Sequence, residues 1–154
     1  MLRGKGYCIS HLERGGSGDA ARLAKRAKDA GLEHVLIKIA DGVTNFPIDD
    51  AGMERFTGKV IESFKANNIL VGGWGFFYGG TDRPQEEQAK RFAARLKQFE
   101  LDEAIVNAEQ FGSRKWSGKA ARTFMQTLLS EVERHGLQQV TYYLSSYRYI
   151  RYHS

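Results

Sequence analysis

The 154-residue sequence has a single cysteine, Cys8, which rules out an internal disulfide framework and a cysteine-based metal site. Placed among Tyr7, Ile9 and Ser10 in an expected strand, it reads as a buried, inert thiol. No apolar run approaches the roughly 20 residues that a membrane-crossing helix needs. The opening Met1-Leu-Arg-Gly-Lys-Gly lacks the apolar segment of a secretory signal, so a cytoplasmic location is expected, with export by a signal-independent route left open. Charge of one sign is not concentrated either. The 23 basic residues outnumber 18 acidic ones for a net charge of +5, but they are spread along the chain. They read as solvated surface, so neither nucleic acid nor a membrane is the expected partner. The four histidines, His11, His34, His135 and His153, show no ligand spacing, and no metal and no cofactor are expected.

Two phosphate-binding patterns also fail. Gly112-Ser-Arg-Lys-Trp-Ser-Gly118-Lys119 has one residue too many between its glycines, and Ala120 stands where a hydroxyl belongs. Gly73-Trp-Gly75-Phe-Phe-Tyr-Gly79 places its glycines inside a strand instead of at a helix entrance, which points to close backbone approach.

What the sequence has is a repeated unit. With 42% hydrophobic and 27% charged residues, it is a globular chain long enough for one domain over residues 1–154. A short hydrophobic strand followed by an amphipathic helix recurs four times. The expected strands are Gly6–Ser10, Val35–Ala40, Ile69–Tyr78, Ala104–Glu109 and Val140–Ser145. The helical stripes are Ala20, Leu23, Ala24, Ala27 and Ala30; Met53, Phe56, Val60 and Phe64; Ala89, Phe92, Ala93, Leu96 and Phe99; and Ala121, Phe124, Leu128 and Val132. Asp19, Asp49 or Asp50, and Ser117 are expected to cap helices, and Gly31, Asn67-Asn68, Phe99 and Gly136 to end them. Strict alternation implies parallel strands with right-handed crossovers. The module length matches a barrel in which ~250 residues make eight modules, so the expected fold is a parallel (β/α) half-barrel of four modules plus a fifth strand. An open, doubly wound sheet is the alternative.

In such folds the carboxyl ends of the strands build the site. Here those ends carry His11 and Glu13, Asp41, Tyr78 and Asp82, Asn107 and Glu109, and Tyr147. Asn107 and Glu109 stand two apart on one expected strand and so share a face. A carboxyl group beside Trp74, Phe76 or Tyr78 has the setting of a general acid for glycoside cleavage, and aromatic faces suit sugar rings.

In order along the chain, Tyr7-Cys-Ile-Ser-His11, Leu36-Ile-Lys-Ile-Ala-Asp-Gly42, Val71-Gly-Gly-Trp-Gly-Phe-Phe-Tyr78, Val106-Asn-Ala-Glu109 and Val140-Thr-Tyr-Tyr-Leu-Ser145 resemble the front half of the glycoside hydrolase family 25 lysozymes, which cleave peptidoglycan. The resemblance implies a lysozyme-like barrel with Glu109 as general acid. Asp41 is a candidate second carboxylate, and Asn107, Trp74, Phe76, Tyr78, Tyr147 and His11 are candidate sugar contacts. The family's paired aspartate falls at Asn107 and its first-strand aspartate at Cys8, neither of which supplies a carboxylate. Glycoside hydrolysis usually needs two carboxyl groups, about 5–5.5 Å apart for retention or about 6.5–9.5 Å for inversion. The expected function is therefore a catalytically impaired half-barrel that binds glycan and self-associates, most simply as a homodimer covering its open edges. The alternative is an active glycosidase on peptidoglycan-type glycan with Glu109 as acid.

Overall fold

Strand and helix alternate as the hydrophobic pattern requires. The computed structural model describes residues 1–12, 18–46, 51–80, 84–108, 115–137 and 139–145. Along the chain these form β1 (Gly6–Ile9), α1 (Ala20–Asp29), β2 (His34–Asp41), β3 (Thr44–Asn45), α2 (Ala51–Ala66), β4 (Leu70–Phe76), α3 (Gln85–Gln98), β5 (Glu103–Asn107), α4 (Gly118–Arg134) and β6 (Thr141–Ser145). Five strands pair in parallel in the order β1-β2-β4-β5-β6, and β3 adds a short antiparallel partner to the end of β2. A doubly wound sheet reverses its strand order at a switch point. This sheet never reverses, so the fold is a parallel half-barrel of four strand–helix modules and a fifth strand.

The sheet has a covered and an open face. On β2, Val35, Ile37 and Ile39 are at most 1% exposed beneath the helices, while Leu36 and Lys38 project the other way. The core lies between the sheet and helix residues such as Leu23, Ala24, Val60, Phe64, Phe92, Leu96, Phe124 and Leu128. Register sets the open face in rungs, with Lys38 beside Trp74, Ile105 and Tyr143, and Asp41 beside Phe76, Asn107 and Ser145. Two glycines of β4 and its exit meet the expectation of close approach. A Cβ on Gly73 would lie 2.5 Å from Ile39 Cδ1, and one on Gly79 would lie 2.6 Å from the backbone nitrogen of Trp116.

All four helices stop the same way. The residue after each C-cap region, Gly31, Asn68, Glu100 or Gly136, has positive φ. The next N–H, of Leu32, Ile69, Leu101 or Leu137, returns to a carbonyl of the last turn at 3.0–3.1 Å, followed each time by entry towards the next strand. Glu100 holds φ +50 at a position that suits glycine. Glu100→Gly should therefore stabilise the fold by about 0.5–1 kcal/mol after the added chain entropy of glycine is counted, read as a higher urea midpoint at unchanged slope. At the other helix ends, Asp19 and Ser117 accept from the backbone N–H groups of Arg22 and Ala120, each at 3.1 Å. Asp49 and Asp50 lie outside the described residues.

Three expectations are corrected by the openness of the sheet. Cys8 is exposed, because β1 is an edge and its open face has no opposing half. What cover it has pushes its thiol above the ordinary value. Ala30 and Ala121 belong to apolar stripes yet are exposed, each bordering a groove at one edge of the sheet. The groove beside β6, about 360 Å³, runs between Ala121, Phe124 and Met125 of α4 and Tyr142 and Leu144 of the strand. Among the described residues, no helix is long and apolar enough to cross a membrane.

Candidate functional site

The carboxyl end of β2 contains an irregularity that makes the site. Lys38 pairs with Trp74, but the next pairs are Ala40 with Gly75 and Asp41 with Phe76, so Ile39 is an extra residue on β2. A regular strand would send Lys38 and Asp41, three residues apart, to opposite faces. The bulge restores them to one face, the open one. There Lys38 Nζ sits 2.7 Å from Asp41 Oδ2, and the Tyr78 hydroxyl donates to Asp41 Oδ1 at 2.7 Å. Both oxygens of the carboxylate are engaged.

Aromatic rings surround this charge pair. Lys38 Nζ lies 4.4 Å from the centre of the Phe46 ring and 5.3 Å from that of Trp74, close enough for cation–π attraction. Phe46 arrives beyond the two-residue Gly42-Val43 turn, where Gly42 adopts φ +58, and its N–H donates to the carbonyl of Ile39 at 3.1 Å. The edge of His11 meets Phe46 with ring centres 5.6 Å apart. The Trp74 indole N–H reaches across β2 to the carbonyl of Ile9 at 3.2 Å, and Phe76 packs 5.0 Å from Tyr78. Tyr78 is held from behind by Gln88, which is fully buried. The Gln88 amide accepts from the Tyr78 N–H at 2.9 Å and donates to its carbonyl at 3.0 Å.

The structure thus gathers Asp41, Tyr78, Trp74, Phe76 and His11 from the ends of β1, β2 and β4. Asn107 stands beside Phe76 at the end of β5, with its Oδ1 buried and without a hydrogen-bond partner among the described residues. β5 ends at Asn107, and Glu109, Tyr147, Glu13 and Asp82 lie outside the described residues. Lys38, Phe46 and Gln88 escaped the sequence reading. A lysine flanked by isoleucines within a strand, and Gly42 as the first residue of a two-residue hairpin turn, were the signals available for the first two. Among the described residues, no three His, Cys, Asp or Glu side chains converge as metal ligands. The site is a shallow aromatic platform, half-buried at Trp74 and Phe76, with one fixed carboxylate, one ammonium and one phenol. Such a surface suits a neutral, hydroxyl-rich ring that stacks on one face and hydrogen-bonds along its edge.

No protein-family model and no curated protein matches the sequence. Among solved structures, the chain is similar to the modular autolysin LytC from Streptococcus pneumoniae. The TM-score is 0.62 against the form in complex with a synthetic peptidoglycan ligand and 0.60 against a second LytC structure, each at 13% identity over 93% of this chain. The chain spans 33% of the length of the LytC chains it matches. The likeness is one of fold: the parallel α/β arrangement of this chain is shared with part of that autolysin.

Proposed function

We propose that this half-barrel binds a peptidoglycan-type glycan on the rim formed by Trp74, Phe46, Asp41 and Tyr78, and does so without cleaving it. The observation that carries this reading is the engagement of both Asp41 oxygens, by Lys38 and by Tyr78, each at 2.7 Å. A carboxylate held this way is a fixed acceptor poorly placed to accept or deliver a proton during catalysis. Asn107, where the family resemblance expects a second carboxylate, has no titratable group. The peptidoglycan ligand of the LytC structure supports the choice of glycan class. Titration with a chitin-type oligosaccharide should shift Trp74 fluorescence saturably in a Trp116→Phe background, while cell-wall suspensions keep their turbidity. No shift at millimolar sugar overturns the binding reading. Clearing that is abolished by Glu109→Gln would instead establish a glycosidase with that residue as its acid.

A second copy covering the sheet edges belongs to the same proposal. Among the described residues β1 and β6 end the sheet, and on them Tyr7 and Leu144 are 63% and 59% exposed. Edges of this kind are normally paired or covered. Light scattering at micromolar concentration should report twice the 17.4 kDa chain mass, and a lone 17.4 kDa species counts against it.

A further inference from the structure

We propose that Arg95, on α3 behind the sheet, is the positioning residue that aims Asp41 and Phe46 into the rim. Arg95 is 2% exposed, and the sequence reading passed over it as one more surface cation of an amphipathic helix. Its Nε donates to the carbonyl of Ile39 at 3.2 Å, and Nη2 donates to the carbonyl of Phe46 at 3.1 Å. Nη1 is shared by Glu54 Oε1 at 2.6 Å and Gln98 Oε1 at 2.5 Å, and the guanidinium plane lies 4.6 Å from the Phe99 ring centre.

The two carbonyls are informative. Ile39 is the extra residue of β2, at the bulge that keeps Asp41 on the open face with Lys38. A bulged residue interrupts the ladder, and its carbonyl here accepts from two donors, the Phe46 N–H of the hairpin and Arg95 from the helix behind the sheet. Phe46 is the last described residue of the hairpin that brings an aromatic face over Lys38. One guanidinium therefore ties down both structural departures on which the Lys38–Asp41–Tyr78 cluster depends. Arginine is suited to this by its several donors in a rigid plane, whereas a lysine offers a point charge on a flexible stem. Glu54, 29% exposed, supplies the compensating charge that such burial requires. Gln88 lies two helical turns earlier on the same side of α3 and clamps Tyr78. The back of α3 thus fixes the rim from two points.

The test separates aiming from mere stabilisation. In the full chain with Trp116→Phe, Trp74 is the single tryptophan, so its acrylamide quenching reads the rim without any ligand. Arg95→Lys retains a cation opposite Glu54 but not the fork, and Glu54→Gln retains the fork but weakens the ion pair. Arg95→Lys should keep parental far-UV dichroism while the quenching constant rises about twofold and the dissociation constant for a chitin-type oligosaccharide rises about tenfold. Glu54→Gln should lower Tm and leave both rim readings at parental values. Parental quenching in Arg95→Lys, or an equal shift in Glu54→Gln, overturns the proposal. The affinity arm rests on the glycan reading proposed above. If the parent binds no sugar, that reading fails alone, and the quenching comparison still decides the role of Arg95.

Discussion

Phe77→Ala should cost about 3–5 kcal/mol of unfolding free energy, a large share of what a domain of this size has to lose. Phe77 leaves β4 with no exposed surface, and its ring lies 5.0 Å from Phe92 and 4.7 Å from Phe124, centre to centre. Its ring also occupies the space that a side chain at Gly75 would need. Strand backbone lies on one side and two helices on the other, so the cavity left by truncation has little room to collapse. The N–H of Phe77 also donates to the carbonyl of Asn107 at 2.9 Å, tying the exits of β4 and β5 together. Urea unfolding checks the value, and a loss under about 1 kcal/mol would mean that the helices close over the gap. Because the effect comes from packing, it should be indifferent to salt.

The second large effect is expected at Asp41. Asp41→Ala strips Lys38, whose side chain is 12% exposed, of its counter-charge and leaves the Tyr78 hydroxyl without its acceptor. The rim then presents an unpaired ammonium between two rings. The dissociation constant for the chitin-type oligosaccharide should rise about 10- to 100-fold, the scale of a hydrogen bond to a charged group. Stability should fall as well, by about 1–3 kcal/mol, because the ammonium is mostly withdrawn from water. Tyr78→Phe keeps the Lys38–Asp41 pair and should lose only the smaller share. Affinity unchanged in Asp41→Ala would remove this carboxylate from sugar recognition.

The fold was legible because its determinants are local and repeated. Apolar stripes at helical spacing, the caps at Asp19 and Ser117, and glycine at two of the four helix stops are all signals within a few residues of where they act. Alternation implied parallel strands, and the module length favoured the consecutive order over a doubly wound one. What escaped depends on neighbours distant in sequence. The carbonyl at the Ile39 bulge is shared by the Phe46 N–H and by Arg95, 56 residues onward, and nothing near Ile39 in the sequence announces the second donor. Cys8, Ala30 and Ala121 read as buried from an apolar strand and apolar helical stripes, yet all three are exposed at the edges of the sheet. Within the site, Asp41, Tyr78, Trp74, Phe76 and His11 were found from their place at strand ends. Lys38 was hidden inside an apolar strand, and Phe46 depended on a tight turn. Glu109 and Tyr147, the other residues marked by position and resemblance, lie outside the described chain.

The bulge at Ile39 makes the chemistry of the rim a matter of register. Were β2 to alternate evenly with all its residues kept in the ladder, the acidic group would swing beneath the helices and leave a bare cation among the rings. The rim would then attract anions, with no polar side chain exchanged for another. The pairing of one strand thus decides which charge the open face presents.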